Sequence, residues 1–437
     1  MISQSNLDVL ETLRRFKKAH IPVAFLVPTP TAMDKSIIDA TKGVRVLFKD
    51  SGLHDYDSQL QGPENKIYIE TTVFSLGKIE STKASLYRPE TKNGDPRICI
   101  YGLKKLADAT DLLALIVVDN NLMIINCSKS DLEHVLSSKT EEALVAFRQA
   151  KDINPELFQA NNNLGTTLKK IDKSEPLSEI LSSSVEEVSD VALELLGKLR
   201  KVYEMGYINT IRAGDTGVGY TLETLLGIKA NSSQAPDYKG IELKSGRSRS
   251  HKSGRTTIFS QVPNWKISRL KGSKELLQDR GRYNETKKRL QLFHELSLIK
   301  ANSFNLQLRV DEGLDQLTQI YTGAIPPVVD VRWDFGMLVE RLISKHKETF
   351  WVTAETLGKN KDLDEKFLYS KLKHTGGVDS SAFMVLLELG VITLDYTIKE
   401  SPTGAVKDQG YLFKIAHKNL DLLFKRVDEY DFSQPAN

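Results

Sequence analysis

Three charged residues in the second half of the chain, Asp237, Glu242 and Lys244, have the spacing Asp-x4-Glu-x-Lys. On a strand, Glu242 and Lys244 point to one face, because successive side chains alternate. Asp237 stands at the entrance to this strand, ahead of a glycine that permits a bend. Carboxylate oxygens hold Mg²⁺ together with phosphate and water, and a lysine helps to position and deprotonate the attacking water. The spacing therefore predicts metal-assisted hydrolysis of a phosphodiester.

The same spacing also fits a charged strand edge with a solvated Glu–Lys pair, an arrangement that contributes little energy. The neighbouring sequence bears on this choice. Glu223 lies in Thr-Leu-Glu-Thr-Leu-Leu-Gly, on the helix predicted just before the strand. An acid on a leucine-rich helix is more often exposed than catalytic, but this one could supply a further carboxylate to the same site.

Two basic stretches follow the strand. Residues 239–255 carry six basic residues against one acid, with small serines and glycines between them, which is typical of a loop that follows a phosphate backbone. A solvated surface loop is the alternative. Residues 266–289 carry nine basic residues against three acids, and helix-surface charge is the alternative there. The basic residues of the first stretch are Lys239, Lys244, Arg247, Arg249, Lys252 and Arg255.

Length and composition limit the class of protein. A chain of 437 residues suggests two or three domains, and 40% apolar with 27% charged residues is ordinary for a soluble globular protein. Its 60 basic and 57 acidic residues give a net charge of only +3, so it is not basic throughout. Two cysteines, Cys99 and Cys127, exclude a disulfide scaffold and a multi-cysteine zinc module, and we expect two reduced core thiols.

No segment reads as a signal peptide or a membrane span. The first sixteen residues alternate polar and apolar types, and the most apolar run, 112–127, is too short and too polar to cross a bilayer. That run predicts two buried strands joined by an Asp-Asn-Asn turn. We therefore expect a cytoplasmic protein with no membrane partner.

The apolar patterns and turn residues along the chain predict three parts: a mostly-β domain at 1–135, a helical linker at 136–183 and an α/β domain at 184–437. Within the linker, residues 141–168 resemble part of a tetratricopeptide repeat, but a solenoid needs at least three repeats and only one is found. The predicted strands span 23–27, 66–74, 97–101, 256–262, 304–310 and 391–398, and the later predicted helices span 337–346 and 380–389.

The last domain is predicted to begin with two helices. Ser184 and Glu187 have capping-box spacing before a helical apolar pattern. In the second helix Asp215 is the expected cap and Gly227 the expected end. The entry Gly-x-x-Gly-x-Gly at 214–219 matches neither a P-loop nor a dinucleotide fingerprint. Its glycines are expected to shape a helix entry near the metal site or to let the DNA backbone approach it.

The ordered set of motifs resembles the MvaI/BcnI family of type II restriction endonucleases and, more distantly, the mismatch-repair nickase MutH. The set comprises Gly-Asp-Thr at 214–216 with Glu223, the Asp-x4-Glu-Leu-Lys strand, and Thr-Thr-Ile-Phe at 256–259. Patterns at 390–395 and 410–415 extend it to the C-terminal half, so the resemblance covers about residues 185 to 437.

This resemblance implies a PD-(D/E)xK nuclease fold, Mg²⁺ as cofactor and double-stranded DNA as partner. It implies that Asp237 and Glu242 bind the metal, that Lys244 is the catalytic lysine and that Glu223 is the helix carboxylate. It further implies a monomer, with a companion DNA methyltransferase that acts on the same site. Candidate DNA contacts in this part are Arg247, Arg249, Lys252 and Arg255, with Lys373 and His374 in the loop expected at 371–377.

The strands of the first domain faintly resemble the N-terminal DNA-binding pseudobarrel of EcoRII, through residues 84–88 and 111–116. This domain is thus expected to recognise DNA or bind an effector. The candidate DNA contacts in it are Lys35, Arg88, Lys92 and Arg97, each of which also fits ordinary surface.

Two other functions remain open from the sequence. A strand-specific repair nickase predicts one spared strand and dependence on a partner. A non-catalytic DNA-binding regulator, in which the acidic cluster is structural, predicts DNA binding that is equal with and without Mg²⁺.

Overall fold

The computed structural model describes residues 6–18, 21–75, 78–90, 94–118, 120–130, 188–228, 236–248, 254–311, 314–359 and 362–434. It divides into two compact units. Unit 1 comprises the described residues of Met1–Ser184 together with two later segments, Val310–Gln316 and Asp379–Gly390. Unit 2 comprises Val185–Arg309, Leu317–Val378 and Val391–Asn437. The predicted linker at 136–183 lies outside the described residues.

Unit 1 is built on a seven-stranded sheet in the order β1-β6-β7-β3-β4-β5-β2. Neighbouring strands are antiparallel except β3 and β7, which are parallel. Its strands are β1 (Ala24–Leu26), β2 (Ile37–Asp39), β3 (Ile67–Ser75), β4 (Lys78–Tyr87), β5 (Arg97–Ile100), β6 (Leu113–Val118) and β7 (Asn121–Asn126). The first helices are α1 (Asn6–Lys18), α2 (Pro30–Lys35), α3 (Lys42–Asp50) and α4 (Leu103–Leu106).

The core of unit 1 includes a helix from much later in the chain, α9 (Ser380–Glu388), which packs against α3 and β1. Nearly all of α9 is buried, and Asp379 caps it by accepting a hydrogen bond from the Ala382 amide at 3.0 Å. Lys17, in the last turn of α1, pairs with the same carboxylate. Lys42 and Arg45 on α3 bind Asp315 at 2.8 and 3.2 Å.

Unit 2 contains the remaining elements, which are mixed α and β. Its helices are α5 (Asp190–Glu204), α6 (Gly217–Leu225), α7 (Ser273–Arg280) and α8 (Phe335–Lys345). Its strands are β8 (Ile208–Asn209), β9 (Glu242–Arg247), β10 (Arg255–Ser260), β11 (Arg282–Asn284), β12 (Arg289–Leu296), β13 (Leu306–Asp311), β14 (Gln316–Tyr321), β15 (Val328–Asp334), β16 (Glu348–Leu357), β17 (Lys366–Val378), β18 (Ile392–Glu400), β19 (Val406–Ala416) and β20 (Phe424–Asp431). The tip of the β13–β14 hairpin belongs to unit 1.

One sheet of unit 2 carries the candidate site. Its strands follow the order β20-β17-β16-β9, and β8 also pairs with β17. β9 runs parallel to β16 and, in the described part of the chain, forms an edge of this sheet. Leu243 on β9 and Phe350 on β16 point into a core with α5 and α6. The alternate residues, which include Glu242 and Lys244, therefore face the other side of the sheet. Two further sheets have the orders β10-β19-β18-β12-β11 and β13-β14-β15.

Each predicted strand and helix in the described residues has a counterpart within a few residues, but several strands of unit 2 are not predicted, β16 and β17 among them, and the helix starts differ. Ser184 lies outside the described residues, and α5 is capped by Ser189, whose hydroxyl accepts from the Ala192 amide at 3.1 Å. α6 begins after Thr216 instead of Asp215, without a side-chain cap. Cys99 and Cys127 are free thiols, as expected, but both are partly exposed instead of lying in the core. No helix among the described residues has the length and apolar character needed to span a membrane.

Candidate active site

The Asp-x4-Glu spacing corresponds to a two-residue turn. Tyr238 and Ile241 exchange both backbone hydrogen bonds, each at 2.8 Å. The two residues between them, Lys239 and Gly240, have φ angles of 45° and 94°. Positive φ at both central positions is the signature of a type I′ turn, in which glycine is strongly favoured at the second position. Asp237 and Glu242 flank this bonded pair, so the turn places the two carboxylates opposite each other.

Asp237 is tied to β9 by its side chain. Its Oδ2 accepts a hydrogen bond from the Leu243 amide at 3.0 Å. Leu243 lies on an edge strand, where outward-facing amides otherwise have no partner in the sheet. The loop carboxylate is therefore held beside the strand that carries the second carboxylate.

Glu242 is the buried acid of the site, with its side chain only 1% exposed. Its Oε1 pairs with the Lys244 ammonium, from the same face of β9, and with Lys345 Nζ at 2.9 Å. Both oxygens are buried, and neither makes a hydrogen bond of good geometry among the described residues, although Oε1 has these two ion pairs. Because an unsatisfied buried carboxylate oxygen is costly, Oε2 has the capacity to take a cation.

Glu223 reaches the site from α6, the helix packed on β9. Burial and the charge of Asp237 raise the pKa of Glu223, while Lys244 opposes that rise. A methyl group on Gly219 would lie 3.7 Å from Glu223 Oε1, so the carboxylate rests against the glycine-rich first turn of the helix. At the helix start, a Cβ on Gly217 would come within 2.3 Å of the Arg212 carbonyl oxygen. The glycine motif thus shapes the helix entry.

The pKa values of the two carboxylates that the turn connects, Asp237 and Glu242, are shifted in opposite directions. Burial and the charge of Glu242 raise the pKa of Asp237, against the hydrogen bond from Leu243. Burial also disfavours ionised Glu242, but Lys244 and Lys345 outweigh it and lower the pKa of that carboxyl. Glu242 therefore stays ionised, whereas Asp237 takes up a proton more readily.

The donor set fits a hard divalent cation. All the acidic ligands are carboxylate oxygens, which Mg²⁺ prefers, and one of them is the unpartnered Glu242 Oε2. Within the described residues, no three His, Cys, Asp or Glu side chains are close enough together to hold an ion by themselves. Two carboxylates that leave the other positions to water and phosphate agree with the way Mg²⁺ is usually bound.

The described members of the basic stretch after the turn are each paired with an acid. Lys239 Nζ lies 2.6 Å from Glu194 Oε2, and Arg255 binds Asp395 at 2.9 Å. Arg247 donates through Nε and Nη2 to both oxygens of the buried Glu365, at 2.7 Å each. Its guanidinium also donates to the carbonyls of residues 214 and 215, so it holds the glycine-rich loop. Arg249 and Lys252 lie outside the described residues.

The loop predicted at 371–377 is not present in this structure, because that segment is part of β17, and its two candidate DNA contacts lie on opposite faces of the sheet. His374 is fully buried, stacks on Phe350 with ring centroids 4.3 Å apart and binds Glu348 Oε1 at 2.8 Å. It lies on the core face of the sheet and is inaccessible to DNA. Lys373 lies on the opposite face, the same one as Glu242, and pairs with Asp421 at 2.7 Å.

Of the candidate DNA contacts in unit 1, Lys35 is exposed in the last turn of α2. Arg88 donates from Nε to the Gly94 carbonyl at 2.9 Å. Arg97 is mostly buried and lies 3.6 Å from Asp39. Arg88 and Arg97 are thus engaged within unit 1. Lys92 lies outside the described residues.

Two residues of the site have no signal in the sequence. Lys345 is the last residue of α8, about a hundred positions from Glu242, and no motif links them. His346 follows it, is fully buried, and hydrogen-bonds Thr349 Oγ1 at 2.9 Å and the Ile258 carbonyl. Thr349 is the register partner of Glu242 on the neighbouring strand. Only the folded arrangement brings the end of α8 to the carboxylates.

Comparison with known proteins gives one family match. A model of the MvaI/BcnI restriction endonuclease family matches residues 196–424. The chain also resembles a solved complex of the restriction endonuclease MvaI with its cognate DNA substrate, at 22% identity, with 56% of this chain and 100% of that chain covered and a TM-score of 0.48. For MvaI in the absence of DNA the identity is 23%, the coverage 56% and 99%, and the TM-score 0.36. A search of curated proteins found no match.

The family match includes the helix with Glu223, the strand with Glu242 and the end of α8, and it spans more than half of the chain. The chain therefore belongs to the MvaI/BcnI restriction endonuclease family of type II site-specific deoxyribonucleases.

Proposed function

We propose that this protein hydrolyses phosphodiester bonds at a short specific site in double-stranded DNA, with Mg²⁺ as cofactor. The observation that carries the proposal is the buried Glu242, with one unpartnered oxygen and with Asp237 held opposite it by the type I′ turn. That pair, with Lys244 on the same strand face, has the chemistry for metal-assisted attack on phosphate.

In this proposal each side chain has one role. Asp237 and Glu242 hold Mg²⁺, which when bound neutralises charge on the phosphate and lowers the pKa of water. Lys244 positions and activates the attacking water, and Glu223 assists from α6 as a further carboxylate. Water attacks phosphorus in line, the bond to the 3′ oxygen breaks, and the products are a 5′-phosphate and a 3′-hydroxyl.

We propose that DNA is bound by basic side chains whose acidic ion-pair partner can be replaced by a phosphate of the DNA. Arg255 and Lys373 keep about a third of their side chains exposed beside acidic partners. Because these side chains are partly exposed to solvent, a phosphate can approach them and take the place of the carboxylate. We further propose that unit 1 is a pseudobarrel-like DNA-recognition domain with Lys35 on its binding surface. The proposed enzyme is a cytoplasmic monomer beside a methyltransferase that acts on the same site.

The test is Lys244→Ala in the full chain, with Lys239→Ala as the matched control. Lys239 lies five residues earlier in sequence and pairs with Glu194 outside the carboxylate site. We expect Lys244→Ala to reduce Mg²⁺-dependent plasmid cleavage at least about a hundredfold, because it removes a charged group from the reacting centre. Specific DNA binding in a gel-shift assay should remain largely intact, and Lys239→Ala should cleave normally.

Full cleavage by Lys244→Ala would contradict the assignment. The same gels separate the alternative functions. Nicked product with one strand spared would support a repair nickase. DNA binding that is equal with and without Mg²⁺, together with no cleavage by the unmodified chain, would support a non-catalytic regulator.

A further inference from the structure

Lys345 reaches the carboxylates from outside the motif that carries the other site residues. It ends α8, which packs against β10 and β15, and its Nζ lies 2.9 Å from Glu242 Oε1. The side chain is only 18% exposed. Placing an ammonium there is costly unless a carboxylate compensates it, so the ion pair with Glu242 sets the position of this side chain.

The backbone beside Lys345 is fixed by its neighbour. The His346 ring binds the Ile258 carbonyl on β10 and Thr349 on β16, and it stacks on Trp351 with centroids 5.5 Å apart. Each contact is to an element of the site sheet or to a strand that α8 packs against. The end of α8 is therefore fixed against β10 and β16 through His346, which leaves the Lys345 side chain as the part that can move.

Two ammonium groups pair with Glu242. Lys244 and Lys345 both lie beside Oε1, and neither carboxylate oxygen makes a hydrogen bond of good geometry in the described part of the chain. One ammonium is enough to neutralise one carboxylate, so the second ammonium at Glu242 adds positive charge to a site that also contains Asp237 and Glu223. A divalent cation held by carboxylate oxygens would supply the same kind of charge compensation.

We propose that Lys345 is the counter-ion of the metal carboxylates in the metal-free protein, and that a divalent cation displaces its ammonium from Glu242 on binding. This inference rests on the proposed function, since it needs Glu242 to be a metal ligand. A metal cation and the Lys345 ammonium repel each other when both bind the Glu242 carboxylate, so Lys345 weakens metal binding. In the metal-free protein, Lys345 neutralises the negative charge of that carboxylate. Lys345 is thus a positioning residue that acts through Glu242.

The experiment titrates MnCl₂ into the full chain without DNA, by isothermal titration calorimetry. The variants are Lys345→Met and Lys345→Gln, which both remove the charge, and Lys345→Arg, which retains it. We expect each neutral variant to bind Mn²⁺ about tenfold more tightly than the unmodified protein, because the competing cation is gone. Lys345→Arg should bind like the unmodified protein. Glu242→Gln should lose this binding.

The direction of the change separates this role from a structural one. If Lys345 only stabilised the fold, its removal would leave Mn²⁺ affinity unchanged or weaken it, and either result in a folded neutral variant overturns the proposal. Thermal unfolding in EDTA identifies which neutral variants are folded. If Glu242→Gln binds Mn²⁺ as well as the unmodified protein, the proposed metal site itself fails. Loss of binding in Glu242→Gln with no gain in the neutral variants refutes the role of Lys345 alone.

Discussion

Individual charges in this protein take their roles from partners that are distant in sequence. Glu242 is next but one to Lys244, yet its second ammonium comes from Lys345 on another element. Arg247 belongs by sequence to a basic stretch, but the buried Glu365 makes it part of the framework. Nearby residues do not reveal such partners, because an ion pair depends on which elements the fold brings together.

His346 gives a pH prediction at this scale. Burial lowers its pKa from the ordinary 6.5 to about 4, so the folded protein keeps the ring neutral where the unfolded chain protonates it. Between these values the unfolded state binds more protons, and stability therefore falls as the pH drops from about 6.5 to about 4. The full shift corresponds to about 3 kcal/mol. We expect His346→Gln, whose amide can still donate to the Ile258 carbonyl, to show a shallower loss of stability in urea unfolding across this range.

Other histidines and carboxylates also make the free energy of unfolding depend on pH. The quantity to compare is therefore the difference in this dependence between His346→Gln and the unmodified protein. His374→Gln is a second test of the same effect, because burial and Arg426 also lower the pKa of that ring. Parallel stability curves for His346→Gln and the unmodified protein between pH 6.5 and 4 would contradict the prediction.

At the scale of the elements, the turn before β9 converts the sequence interval between the two acids into a fixed spatial arrangement. The interval between Asp237 and Glu242 accommodates a bonded pair and two turn residues, so a two-residue turn brings the acids opposite each other. The sequence predicts a bend there because Gly240 tolerates positive φ. It does not reveal that β9 becomes an edge strand whose Leu243 amide receives the Asp237 carboxylate.

Gly240→Ala tests the turn. Gly240 has φ of 94° and open space around its Cβ position, so the cost of alanine comes from the backbone alone. We expect the free energy of unfolding to fall by about 1–2 kcal/mol. Mg²⁺-dependent plasmid cleavage should fall as well, because relaxation of the turn moves Asp237 away from Glu242.

Gly197→Ala is the matched control. Gly197 lies within α5 and also has open space around it, but its backbone is helical. Alanine there should raise stability by up to about 1 kcal/mol and leave cleavage unchanged. Equal effects of the two substitutions on unfolding and cleavage would show that the positive φ of the turn is unimportant.

In the whole molecule, unit 1 is assembled from distant parts of the chain. α9 follows β17 directly in sequence, yet its apolar residues pack on α3 and β1. Asp379 at its start is paired with Lys17, and Asp315 is paired with Lys42. The nuclease sequence therefore contributes two segments to unit 1.

Removal of residues 1–187 tests this arrangement. The shortened chain would retain α9 without α3 and β1, and would expose an apolar helix surface that is buried in the full protein. At about 25 cal/mol for each Å² of apolar surface, that exposure favours aggregation. We expect the shortened chain to be aggregated in size-exclusion chromatography or to bind a hydrophobic dye, whereas the full chain does neither. A soluble shortened chain with cooperative unfolding and normal cleavage would show that unit 1 is dispensable to the fold.

The sequence by itself determined part of the local structure of this protein: about half of its strands and helices, a bend before the strand with Glu242, and the motif order that identifies the family. These follow from periodicity, glycine positions and spacing, all of which act over a few residues. The tertiary structure alone decided the placement of Lys345 on Glu242, the burial of His374, the pairing of Arg247 and the position of α9 in unit 1. Each of these depends on contacts between residues far apart in the chain, and such contacts form only when the elements pack.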